Sequence, residues 1–233
     1  MKTALFTLVL SLVLAGNASA EVVEQSADHF LLGFTAHVEA PPAKVYIAIS
    51  EVAHWWSAEH TWSGKAENLS LKTEAGGCFC ERWAEGSVEH GRVILALNDR
   101  LLRLNTALGP LQEVALNGIL TFKLDPSDND TTMLEVSYRA NGSSMSYLDQ
   151  FAPAVDGVLA EQIDRLLRYI DTGDPQADET PAESEPPSRR EARAKLIEEW
   201  SKQAAAEQKG GKSAKPKSKM APKARKPEPP AKE

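Results

Sequence analysis

Residues 153–173 read PAVDGVLAEQIDRLLRYIDTG, and how this stretch is read sets the fold. Val155, Leu159, Ile163, Leu166 and Ile170 recur at spacings of three and four, which puts them on one stripe of an α-helix. The helix is expected from about Pro153 to Asp171, with Gly173 in the position that commonly ends one. The preceding residues have a different period. Leu120, Phe122 and Leu124 share one face of residues 118–124, and Leu134, Val136 and Tyr138 share one face of residues 132–140. That is the alternation of half-buried strands.

Further out, strands are expected at residues 68–74, 78–83, 87–97 and 101–108. Gly76-Gly77, Glu85-Gly86, Asn98-Asp99, Gly109-Pro110 and the run Asp125 to Asp130 supply the turns between strands. Upstream, Phe30, Leu32, Phe34, Ala36 and Val38 alternate within His29 to Glu39, a strand that Ala40-Pro41-Pro42 stops. Val45, Ile49 and Val52 mark a short helix over residues 43–52, and a second short helix or ordered loop carries Trp55, Trp56 and Trp62. The class is α+β: a strand, two short helices, a six-strand meander and a long closing helix, with about seven strands in all.

The ends of the chain differ from this middle. Lys2, the twelve-residue apolar run Leu5 to Gly16 and the small residues Ala18-Ser19-Ala20 are the three parts of a secretory leader. The run is well short of the roughly 20 residues that a spanning helix needs. Residues 1–20 are therefore expected to direct export, to the periplasm or out of the cell, and Glu21 to begin the mature chain. No later segment is apolar enough to form a transmembrane span. Residues 21–173 form the folded domain, and residues 174–233 have the composition of a disordered, charged tail. Within the tail, residues 188–208 have helix chemistry, with Ser188 and Glu191 spaced as a capping box and Leu196, Trp200 and Ala204 as a thin apolar stripe.

Charge is unevenly spread. Residues 21–173 carry 11 basic and 22 acidic side chains, whereas residues 209–233 carry nine basic and two acidic ones. So acidic a domain argues against nucleic acid as a partner, because phosphates demand cationic surface. The basic end suits either an anionic envelope surface or a contact with the chain's own acidic domain. The chain has two cysteines, Cys78 and Cys80. On a strand an i, i+2 pair lies roughly 6.6 Å apart, near the upper limit for a disulfide. Free or packed thiols, a labile disulfide and metal binding all stay open.

Three motifs, in order, carry a resemblance. Glu39-Ala40-Pro41-Pro42-Ala43-Lys44-Val45-Tyr46 resembles the strand-to-helix entry of the START-like, or SRPBCC, superfamily. Glu74-Ala75-Gly76-Gly77-Cys78-Phe79 is similar to the Gly-Gly-x-Phe turn of its polyketide-cyclase-like and chaperone-ATPase-activator-like branch. Val155-Asp156-Gly157-Val158-Leu159, running on to Gly173, is similar to that branch's terminal helix. The resemblance covers residues 29–173. It implies a helix-grip fold, a curved antiparallel sheet wrapped around the long C-terminal helix with an apolar cavity between them. It also implies a lipid-like or polyketide-like ligand, and it carries no shared catalytic set.

With Phe79 facing that cavity, alternation puts Glu81 and Trp83 beside it and Cys78, Cys80 and Arg82 on the opposite face. The cavity is expected to be lined by Phe79, Glu81, Trp83, Phe122, Tyr138, Phe151, Val155 and Leu159. Glu81 is the one candidate catalytic residue. Among apolar neighbours its pKa would rise and it could act as a general acid; the alternative is an ion pair with Arg92, Arg103 or Arg139. The aromatics Trp55, Trp56, Trp62, Trp83, Phe122, Tyr138 and Phe151 suit plain core as well as ligand wall. His54 and His60 stand six apart, the wrong spacing for a helical ligand pair, and His90 does not complete a set. No metal and no cofactor is expected.

These residues describe an exported binding or carrier protein for an apolar small molecule. The alternatives are a cyclase- or dehydratase-like enzyme using Glu81, and a protein-interaction module docking through residues 188–208.

Overall fold

Alternation becomes burial along the strands of a computed structural model that describes residues 19–177. Residues 1–18 and 178–233 lie outside the described part, and with them most of the expected leader, most of the tail and the expected helix at 188–208. The elements are β1 (Ser19–Ser26), β2 (His29–Val38), α1 (Pro42–Ser50), α2 (Val52–Trp55), β3 (Leu69–Leu71), β4 (Cys78–Trp83), β5 (Gly86–Leu97), β6 (Leu101–Thr106), β7 (Asn117–Ser127), β8 (Thr131–Asn141) and α3 (Leu148–Thr172). The strands form one antiparallel sheet in the order β1-β2-β8-β7-β6-β5-β4-β3.

Register carries the pattern across the sheet. β2 pairs with β8 from His29↔Asn141 to Val38↔Thr132, so Phe30, Leu32 and Phe34 meet Ala140, Tyr138 and Val136 on the inner face. β7 adds Leu120, Phe122 and Leu124, and β6 adds Leu102 and Leu104. Shifts of register between Val22 and Glu24, Phe79 and Cys80, and Val93 and Leu95 interrupt the ladders. Such bulges bend a strand and increase its twist, which curves the sheet. α3 lies in the curve and packs against β1, β2, α1 and α2. The result is the α+β helix-grip arrangement expected from the sequence. Leu148, Ala152, Val155, Leu159, Ile163, Leu166 and Ile170 of α3 are all buried, and each large side chain contributes roughly 1.5–3 kcal/mol.

Two boundaries differ from the sequence reading. The sheet has eight strands where about seven are expected, because β1 pairs with β2 from Ser19↔Thr35 to Ser26↔His29. β1 is a polar edge strand whose alternation is broken by its own register shift, so periodicity does not reveal it. The expected processing point after Ala20 falls inside it. α3 begins at Leu148, five residues before Pro153, because Leu148 and Ala152 extend the buried stripe backward. A proline at this depth removes one backbone hydrogen bond, which the buried first turns offset. Gly173 closes the helix as expected, with φ 80° and its N–H on the Tyr169 carbonyl. No helix among the described residues is long and apolar enough to cross a membrane.

Candidate functional site

The site is aimed by an extra residue. Phe79 stands opposite Gly91 and Cys80 opposite Glu89, so His90 of β5 has no partner of its own on β4. His90 and Gly91 are consecutive and both buried, which regular strand alternation forbids and a bulge permits. The His90 ring packs on Phe79 with centroids 5.0 Å apart, and Phe79 in turn meets Trp56 edge-on at 5.5 Å. The His90 carbonyl accepts a hydrogen bond of 2.5 Å from the Thr106 hydroxyl, fixing the backbone of the bulge to β6.

Behind the imidazole lies Glu81, fully buried. One carboxylate oxygen accepts from His90 Nε2 at 3.0 Å and from the Trp62 N–H at 3.1 Å; the other accepts from the Ser63 N–H at 2.5 Å. Burial alone would push this carboxyl up. The hydrogen bonds from His90, Ser63 and Trp62 outweigh burial and hold it below its ordinary value.

Both expectations for Glu81 are thereby corrected. Its pKa is lowered, not raised, and its partner is not an arginine. Arg92 pairs with Glu89 and donates to the Gly76 carbonyl, and Arg103 donates to Thr121. Arg139 stands on β8, with β7, β6 and β5 between it and β4. The cause is the loop that follows α2, which folds over the inner face of β4 and turns two N–H groups onto the carboxylate.

That loop is fixed on its other side by α3. The Ser57 N–H donates to Gln162 Oε1 at 2.7 Å, Arg165 Nε donates to the Trp55 carbonyl at 2.8 Å, and His60 Nε2 lies 3.3 Å from Glu161 Oε2. The Trp56 indole N–H is held by the His60 carbonyl at 3.1 Å. Trp56 and His60 are thus locked in place between sheet and helix.

These groups enclose one side of an apolar hollow of about 30 Å³. Its walls are Trp56, Leu108, Pro110, Leu111, Phe151, Val155, Val158 and Leu159, with His60 and His90 as its two imidazoles. α3 and the start of the short turn Gly109–Val114 form two of its walls. Gly109 (φ 53°) begins this turn and Ala115 (φ 52°) follows it, both left-handed, and Tyr147 (φ 48°) is left-handed at the start of α3. Non-glycine residues in that conformation each cost about 1–2 kcal/mol, and such strain gathers at ligand clamps.

Of the expected cavity residues, Phe151, Val155 and Leu159 line this hollow. Phe79 is buried one layer behind it, against His90 and Trp56. Phe122 and Tyr138 are packed in the core, where the Tyr138 hydroxyl donates to the Thr106 carbonyl at 3.2 Å and burial pushes its pKa up. Trp83, half-buried, covers Gly86 at the β4–β5 turn. Glu81 faces the loop and His90. The sequence reading weighed His60 and His90 only as metal ligands and Gly109-Pro110 only as a turn between strands, and placed none of them at the cavity. The Gly109-Pro110 pair signals a turn, but nothing local signals the bulge. Cys78 and Cys80 are joined as a disulfide, with Cα atoms 5.4 Å apart, on the face of β4 opposite Phe79 and Glu81.

No family model and no curated protein matches the chain. Among solved structures, it is similar to the conserved protein of unknown function EF2215 from Enterococcus faecalis, at 12% identity and a TM-score of 0.49, over 78% of this chain and 91% of that one. It is likewise similar to CalU16 from Micromonospora echinospora, at 16% identity and a TM-score of 0.46, over 81% and 97% of the two chains. The protein of unknown function SA2116 from Staphylococcus aureus has 12% identity and a TM-score of 0.47, over 63% and 96%. At these identities and scores the likenesses assign no activity to the chain.

Proposed function

We propose that the domain is a START-like, polyketide-cyclase-like helix-grip module that binds an apolar small molecule between α3 and the Gly109–Val114 turn. The observation that carries this reading is an almost wholly apolar hollow whose polar groups are two carboxylate-backed imidazoles. Sites of this composition, mainly apolar with a few placed polar groups, are what small ligands occupy. At about 30 Å³ the resting hollow has room for roughly two water molecules, so a lipid-like or polyketide-like ligand enters by displacing the turn. The strained residues at Ala115 and Tyr147 mark where that movement is absorbed.

On this reading the leader delivers the domain to the periplasm or beyond the cell, and the basic tail gives it a contact with an anionic envelope surface.

The test uses the neutral fluorescent probe N-phenyl-1-naphthylamine. The full chain is expected to bind it with a dissociation constant on the order of 10 micromolar, with enhanced, blue-shifted emission. Val158 lies on the pocket wall at 9% exposure, outside the main core, so Val158→Trp fills the hollow with least disturbance to the fold. This variant is expected to weaken probe binding at least about tenfold while its melting temperature stays within a few degrees of the parent's. Equal probe binding by the two proteins would refute a ligand site here.

A further inference from the structure

We propose that His90, held by Glu81, is the pocket's hydrogen-bond acceptor, and that the ligand is a flat aromatic alcohol, a phenol-type hydroxyl on an otherwise apolar ring system. This rests on the pocket being a ligand site and adds which ligands it selects.

Glu81, held ionised by three hydrogen bonds, can only accept. In the neutral imidazole the proton is therefore on Nε2, and Nδ1 carries the lone pair. The partner of each ring nitrogen is thus decided by the protein: Nε2 is occupied by Glu81, and Nδ1 has no hydrogen-bond partner among the described residues. It is not among the sealed, unpaired polar atoms either, so it retains access. His90 is 4% exposed and lines the hollow. A desolvated acceptor with a fixed lone pair favours a ligand that donates to it and penalises one that cannot.

The rest of the wall selects shape. Trp56 and Phe151 present aromatic surface and Pro110 a flat ring, and a narrow hollow between them fits a planar ring better than a branched chain. A phenol hydroxyl is a stronger donor than an alkanol and keeps the remainder of the ligand apolar. Glu81 acts here as a positioning residue: it sets which nitrogen of His90 is basic without itself meeting the ligand.

The experiment compares 2-naphthol with 2-methoxynaphthalene by calorimetric titration of the full chain. These ligands share their ring system, but only the first can donate. Wild type is expected to bind 2-naphthol about tenfold more tightly, the factor that one well-made hydrogen bond supplies. His90→Phe is expected to narrow the ratio to within about twofold while retaining the ether. Glu81→Gln gives a signature that a merely structural role would not. With the amide oxygen accepting from the Ser63 N–H, its NH₂ takes the place of Oε2 and donates to Nε2, at the loss of the Trp62 N–H acceptor. The imidazole proton moves to Nδ1, from which the oxygen of either ligand accepts, so both ligands still bind and the preference for 2-naphthol disappears.

If wild type binds the two ligands equally, the assignment of His90 fails and the pocket reading stands. If neither ligand binds, both fail. If the ratio persists in His90→Phe, the acceptor is another group and this inference is overturned.

Discussion

Replacing Glu81 by alanine is expected to destabilise the domain by about 3–5 kcal/mol, since each buried donor left unpaired costs about 1–3 kcal/mol and three are left at once. Three donors lose their acceptor together: the Trp62 and Ser63 N–H groups and His90 Nε2. A buried donor left unpaired costs its full desolvation, because the closed site gives water no way to replace the carboxylate. Glu81→Gln keeps the shape but turns its NH₂ toward one of the two loop N–H groups, and should cost about 1–3 kcal/mol, the range for one buried donor left unpaired. Urea unfolding of the parent and the two variants measures both. A loss below about 1 kcal/mol for Glu81→Ala would mean that the loop after α2 is not fixed by this carboxylate.

The sign of the pH dependence follows from the lowered pKa of Glu81. A carboxyl with a folded value below its unfolded one stabilises the fold fully above the unfolded value. That contribution is lost as the pH falls through the folded value. The gap between parent and Glu81→Gln should therefore be full near neutrality and close on acidification below about pH 4.

The second large effect belongs to Gly118 on β7. A Cβ there would lie 2.1 Å from the Thr106 carbonyl oxygen, 2.7 Å from the Tyr138 hydroxyl and 2.9 Å from its ring. The first of these is backbone, so relief requires β6 and β7 to separate, and with them the Tyr138–Thr106 hydrogen bond. Gly118→Ala is expected to cost roughly 3 kcal/mol or more. Gly33→Ala is the matched control. Its Cβ would meet Val23 Cγ2 at 3.2 Å, and Val23 is an exposed, movable side chain on β1. That substitution should cost under about 1 kcal/mol. Thermal unfolding of the two variants side by side separates close backbone approach from the general effect of adding a methyl group to a strand.

What the sequence could and could not disclose follows from which interactions are local. Strand alternation at 118–124 and 132–140 and helical spacing from Val155 to Ile170 are local, and the corresponding elements form where expected. β1 is invisible in the sequence because its partner, β2, supplies the order that its own residues do not show. Alternation counted from Val93 puts Gly91 and Glu89 inward and His90 outward. The bulge leaves Gly91 inward but turns His90 inward and Glu89 outward, and it depends on how β4 pairs. Phe122 and Tyr138 are legible as buried residues, yet burial in core and burial at a cavity wall require the same side chains. Glu81 is legible as a buried acid, but its partners come from a loop 18 and 19 residues upstream and from the bulge.

The most direct measurement is a methyl-resolved NMR titration of the full chain with N-phenyl-1-naphthylamine. Binding between α3 and the Gly109–Val114 turn predicts the largest shifts at the methyl groups of Leu108, Leu111, Val155, Val158 and Leu159, with Leu102 and Leu134 in the sheet core little changed. If those five stay still, or if the perturbation is confined to the exposed Val23, Ile94 and Leu97, the pocket does not take the probe and the domain is not a binder of apolar small molecules at this site.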